Sequence, residues 1–157
     1  MKKTISTEKV LLAYRVLSTA KYSKLDDADK IKSWKIARAM KPVATQFEDD
    51  SKDAAEKLKP SDYDFDAMLQ KAQEYEQMQR DPKADMTKAP MGPAEYADFI
   101  KKFQDYNKLV GDAVKEFADK KVEVDFEPLT EESFGKLMAS NDWTVHQAML
   151  LGEIIIE

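Results

Sequence analysis

Tyr96-Ala97-Asp98-Phe99-Ile100-Lys101-Lys102-Phe103-Gln104-Asp105-Tyr106-Asn107-Lys108-Leu109-Val110-Gly111-Asp112-Ala113-Val114-Lys115-Glu116-Phe117 is the stretch that decides the fold class. Tyr96, Phe99, Phe103, Tyr106, Val110, Ala113 and Phe117 recur at spacings of 3, 4, 3, 4, 3 and 4, which is the period of a helix with one narrow packing seam. A strand alternates every second residue, so this pattern predicts a long central helix within 94–120. Gly111 falls off the seam, where its cost of about 1 kcal/mol relative to Ala leaves the packing face intact.

Working outward, the same helical period recurs on the N-terminal side. Val10, Tyr14 and Leu17 mark a first helix capped by Ser6 or Thr7 and running to about Thr19. Asp26 and Asp27 sit where a helix N-terminus favours anions. From Ala28 to about Leu58 an apolar stripe of Ile31, Trp34, Ala37, Val43, Phe47, Ala54 and Leu58 predicts a second, longer helix. Pro42 predicts a kink or break near Lys41, since proline removes a ladder bond and clashes with the preceding turn. Residues 1–60 thus read as a helical hairpin with one long arm. Residues 61–80 hold another helix through Phe65, Met68, Leu69, Ala72 and Tyr75, capped by Ser61 or Asp64. The segment 81–93, with Pro82, Pro90, Gly92 and Pro93, reads as the one long loop.

On the C-terminal side the period changes. Val122, Val124 and Phe126 alternate with Glu123, Asp125 and Glu127, the mark of a half-exposed strand that Pro128 ends. Its partner is either Gly152–Glu157, where three isoleucines follow an expected C-cap glycine, or Lys2–Ile5; failing both, its edge is free for another chain. Thr130 caps a short helix stopped by Asn141 in a left-handed conformation, and Thr144 with Gln147 has capping-box spacing for a last helix in which Val145, Ala148, Met149 and Leu151 are available for burial. The expected fold is therefore a single mainly α domain: a long helical hairpin, further helices, and one short strand or two-stranded β element near the C-terminus, residues 121–157 holding that strand and two short helices.

Composition narrows the chemistry. The 157 residues contain no Cys and only 4 Gly, which removes disulfides, thiolate nucleophiles and cysteine metal sites, and leaves no closely spaced glycines for a phosphate-cradling loop. Charged residues make up 35%, and they are polarised: residues 1–60 carry 14 basic and 9 acidic side chains, residues 61–157 carry 11 and 21. Such polarity predicts two mutually attractive surfaces, within one molecule or between copies. Glu8, Lys9 and Arg15 interrupt any apolar signal segment after Met1-Lys2-Lys3, and no apolar run approaches the ~18 residues of a membrane span, so an intracellular site without membrane contact is expected.

Candidate reactive groups are few. His146 is the only histidine, so neither a multi-histidine metal site nor a redundant catalytic triad is available; a small hydrolase would have to combine it with Glu153 or Asp142. Asp62, Asp64 and Asp66 imitate the start of a calcium loop, but Ala67 stands where the turn needs glycine and Gln73 where it needs a bidentate glutamate. Glu131-Glu132 and Glu48-Asp49-Asp50 lack an apolar surrounding that would shift a carboxyl, and read as solvated faces. Lys21, Lys24, Lys30, Lys32, Lys35, Arg38 and Lys41 form the strongest basic set, interrupted by Asp26, Asp27 and Asp29. No catalytic, cofactor or metal residue is assigned.

The hairpin Lys24–Leu58, with Lys35-Ile36-Ala37-Arg38 near its middle, and the stretch Val122-Glu123-Val124-Asp125-Phe126-Glu127-Pro128-Leu129 ahead of Asn141-Asp142-Trp143-Thr144-Val145 resemble a group of small bacteriophage and prophage proteins of the domain-of-unknown-function type. The resemblance covers about two thirds of the chain, and Pro42 and residues 60–93 depart from it. It implies a mostly helical protein made in the bacterial cytoplasm and acting in virion or tail assembly. The expectation is thus a non-enzymatic structural or assembly protein, self-associating or binding phage or host proteins through Tyr96, Phe99, Phe103, Tyr106, Val110, Phe117, Val122, Val124 and Phe126. The alternative is a nucleic-acid-binding module using the Lys21–Lys41 face, with Lys35 and Arg38 at its centre.

Overall fold

A computed structural model describes all of residues 1–157. In chain order the elements are β1 (Lys2–Ser6), α1 (Thr7–Ser18), α2 (Asp27–Lys57), α3 (Phe65–Arg80), a short 3-10 turn (Met86–Lys88), α4 (Pro93–Asp119), β2 (Lys121–Asp125), α5 (Glu131–Ala139) and α6 (Val145–Ile155). The expected mainly helical class with a two-stranded element is what forms. The chain divides into two compact units, Met1–Asp50 with Lys115–Glu157, and Ser51–Val114.

In the first unit β1 and β2 pair antiparallel, with Lys2 opposite Asp125, Thr4 opposite Glu123 and Ser6 opposite Lys121. Alternation puts Ile5 and Val124 into the core. Of the two partners foreseen for β2, the N-terminal one is used, so its pairing is satisfied within the chain. The isoleucine run is helical instead: Gly152 lies inside α6 with no left-handed φ, Ile154 and Ile155 are buried, and only Ile156 forms a bridge, parallel to Leu129. Burial against the core outweighs the β preference of branched side chains.

Ser6 caps α1, which buries Val10, Ala13 and Leu17, and α1 lies alongside α6. The buried face of α2 is Ser33, Ile36, Met40 and Ala44, spaced i, i+3, i+7, i+11. This corrects the stripe read through Ile31 and Trp34, which lie on the opposite side and are more than half exposed. Pro42 does not interrupt the helix. Met40 and Ala44 are buried on either side of it, and such packing maintains a helix that local propensity disfavours.

Thr130 caps α5, and Thr144 with Gln147 forms a complete capping box on α6. Asn141 is not left-handed, contrary to expectation. Its side chain does the terminating, donating from Nδ2 to the Leu137 carbonyl at 2.9 Å. Val145 and Met149 are exposed, while Leu151, Ile154 and Ile155 take the buried positions of α6.

The second unit has a separate core. Asp64 caps α3, whose Phe65, Ala72 and Tyr75 are buried with Met91 and Phe99. Met91, within the expected loop 81–93, anchors that segment to the core. The seam of α4 is only partly covered: Phe99 is its one fully buried residue, and the more extensive cluster, in the first unit, contains none of the seam. α4 is therefore not the centre of a single core.

Candidate functional site

Most of the aromatic seam is consumed by packing. Within the second unit the Phe65 ring lies 4.7 Å from Tyr106, 5.9 Å from Phe99 and 6.1 Å from Phe103, centroid to centroid, and Tyr75 lies 4.6 Å from Tyr96. The Tyr106 hydroxyl donates to the Ala55 carbonyl at 2.6 Å. Val110 is half-buried, and Val124 and Phe126 are buried in the core of the first unit. These residues have no large free face for a partner. Of the predicted interaction set, Lys35 and Arg38 are exposed, and Phe117 and Val122 are half-buried in the first unit.

Lys35 and Arg38 lie on the face of α2 diametrically opposite the buried Ser33-Ile36-Met40-Ala44 row. At 3.6 residues per turn, Ile31, Trp34, Arg38 and Lys41 fall on one stripe, with Lys35 and Pro42 beside it. Ile31 is 54% and Trp34 53% exposed. The Arg38 guanidinium stands 5.1 Å from the centre of the Trp34 ring, a cation–π contact. Lys35, Arg38 and Lys41 make no ion pair, whereas Lys30 pairs with Asp27 at 3.0 Å and Lys32 with Glu127 at 2.8 Å. The hydrogen bond to Lys32 holds the Glu127 carboxyl below the usual carboxylate range, helped by the charges of Lys32 and Lys35; the same bond raises the Lys32 ammonium. Reading the sequence as one apolar stripe hid this site, because Ile31 and Trp34 share helical spacing with the half-buried Ala37 and Val43. The small, polar Ser33 heading a second row through Ile36, Met40 and Ala44 was the available signal.

The charge polarity of the chain is met inside the first unit. Besides Lys32–Glu127, Lys2 pairs with Glu123 at 2.9 Å and Lys9 with Glu153 at 2.5 Å, and the Lys3 ammonium donates to the Ile156 carbonyl at 2.7 Å. The basic N-terminal segment thus meets the acidic C-terminal one within the same molecule.

Phe117 and Val122 meet in a second accessible feature, a half-open groove of about 340 Å³ with Pro42, Val43 and Phe47. All of its lining belongs to the first unit.

The remaining candidates have local duties. His146 is exposed on the first turn of α6, and Glu153, its suggested partner, pairs with Lys9. Asp64 accepts from the Ala67 amide as an N-cap, and Asp66 pairs with Lys59 at 3.2 Å. Glu132 pairs with Lys136 at 2.7 Å along α5. No three His, Asp or Glu side chains are grouped as metal ligands. No helix is long and apolar enough to cross a membrane. Neither family models, curated proteins nor solved structures give a match to this chain.

Proposed function

We propose that the chain is a non-enzymatic contact protein whose Ile31-Trp34-Lys35-Arg38-Lys41 face docks an acidic, partly apolar surface of a protein partner. The observation that carries the reading is the exposed Trp34 ring with Arg38 over it, on the side of α2 facing away from the core. Tryptophan and arginine are the residue types that most often dominate protein interfaces, and an exposed indole on a helix face has no packing role to explain it. The unpaired cations set the charge of the partner. The resemblance to phage proteins supports virion or tail assembly in a bacterial cytoplasm as the setting, with a phage or host protein or a second copy as the partner.

A second reading, single-stranded nucleic acid stacked on Trp34 and tracked by Lys35, Arg38 and Lys41, draws on the same exposed ring. The protein reading is favoured because Ile31 offers no stacking face and Asp27, one turn before Ile31, puts a carboxylate on the same side of α2.

Trp34 emission, recorded in a Trp143→Phe background, distinguishes the two. Titration with acidic amphipathic helical peptides should shift it to the blue, and Arg38→Glu should abolish the shift while leaving the unfolding midpoint unchanged. A response to oligothymidylate alone, lost in Lys35→Glu/Arg38→Glu, would move the assignment to nucleic acid, and silence towards both would remove the site.

A further inference from the structure

The groove at Phe47 and Phe117 has a chemistry of its own, independent of the α2 stripe. Its floor is fixed: the Thr7 hydroxyl and the Thr7 amide both donate to the Lys120 carbonyl at 2.8 Å, tying the end of α4 to the start of α1. Pro42, Val43 and Phe47 from α2, Phe117 from α4 and Val122 from β2 supply apolar walls. A volume of about 340 Å³ is at the small end of the ~300–1,000 Å³ range of ligand sites, enough for one small molecule and too little for a nucleotide cofactor.

Two ionisable residues line the groove, Asp50 and Lys120, and they carry opposite charges. Asp50 accepts a hydrogen bond from the Gln46 amide on Oδ1 at 2.8 Å, and Oδ2 is left without a partner. Neither Asp50 nor Lys120 is in an ion pair, so both charges are open to a ligand. A simple carboxylate ligand could pair with Lys120 but would leave Asp50 unmatched, and a simple amine the reverse. A molecule with both charges and an apolar body satisfies all three parts of the lining.

We propose that this groove binds a small zwitterion with an apolar side chain, the chemical class of the free aromatic and branched amino acids. The ammonium group is received by Asp50, the carboxylate by Lys120, and the side chain lies between Phe47 and Phe117. Because the groove is half-open and its charged groups reach solvent, affinity falls in the range of roughly 0.1 to 1 mM.

Calorimetric titration of the full chain with L-phenylalanine and L-leucine tests the proposal, with phenylacetate, phenethylamine and N-acetyl-phenylalanine amide as probes lacking one or both charges. Saturable binding of the free amino acids is expected, weakened about tenfold in each probe missing a charge and about tenfold in Asp50→Asn and Lys120→Met, a factor typical of one lost charge-assisted contact. Phe117→Ala should weaken binding similarly. Asp50→Asn keeps the Gln46 contact and the fold, so its result stands even if Phe117→Ala unfolds. No saturable heat with any amino acid up to about 10 mM would overturn the proposal. So would binding of the doubly uncharged amide as tight as that of L-phenylalanine, which would make the groove an apolar socket for a peptide.

Discussion

The side-chain amide of Asn141 pairs with both backbone polar groups of Lys21: the Lys21 amide donates to Asn141 Oδ1 at 2.7 Å, and Asn141 Nδ2 donates to the Lys21 carbonyl at 2.8 Å. The same Nδ2 reaches the Leu137 carbonyl, and one residue earlier Ser140 accepts from the Lys24 amide at 3.1 Å while donating to the Lys136 carbonyl. Two side chains at the end of α5 therefore hold the backbone of the α1–α2 connection. Asn141→Ala should lower stability by about 1–2 kcal/mol in urea unfolding, the loss of three partly exposed hydrogen bonds. Asn141→Asp should recover little, because a carboxylate keeps the acceptor for Lys21 but faces two carbonyls without a donor.

Ser33 runs the other way. It is fully buried on the core face of α2, and its hydroxyl has no hydrogen-bond partner. An unpaired buried hydroxyl carries its desolvation cost uncompensated, and alanine is the better helix former. Ser33→Ala should raise stability by about 0.5–1 kcal/mol, read as a higher urea midpoint at unchanged slope.

The Lys32–Glu127 pair predicts a pH window. Glu127, with its carboxyl lowered in the folded protein, contributes stability above the ordinary carboxylate range that is lost as pH falls through its folded value. Lys32, with its ammonium raised, contributes below the ordinary lysine range and loses that contribution as pH rises through its folded value. The pair is thus intact between the two. Both groups are solvent-exposed, so the effect should shrink with added salt. Carboxyl NMR should place the Glu127 midpoint below the usual range and show it rising in Lys32→Met.

Phe65 joins three rings of α4 to α3, and its removal should be costly. Phe65→Ala should destabilise by about 3–5 kcal/mol. Amide exchange should report the loss first in α3 and at residues 96–106, where Tyr75, Phe99 and Tyr106 share that core.

The helical architecture was legible because its periods are long and its caps specific: the 3–4 alternation of α4, Ser6, Asp64, Thr130 and the Thr144–Gln147 box all appear where the residues put them. Orientation was less legible. α2 carries apolar residues on opposite sides, and spacing alone cannot say that Ile36 and Met40 are buried while Ile31 and Trp34 are not; only the arrangement of α6 and the strands decides that. Ile154 and Ile155 have strand-like propensity and adopt helix because the core lies against them, and only Ile156 is extended. Of the candidate site, Lys35 and Arg38 could be read directly, but the exposure of Trp34 is a tertiary fact. The groove joins Phe47 to Phe117 and Val122, residues whose separation along the chain no local pattern bridges.

The pairing of Lys2 with Asp125 has a consequence for synthesis. β1 is made before β2, which follows some 120 residues later. At about 5–20 residues per second a ribosome takes on the order of ten seconds to cover that distance. Throughout that interval the amides and carbonyls of Lys2–Ser6 are bonded only to water, while Ser51–Val114 is a contiguous segment with a core of its own. Early compaction of that segment shortens the effective loop that the two strands must close, and so lowers the entropic barrier to joining them. The order of translation favours the second unit folding before the two strands pair.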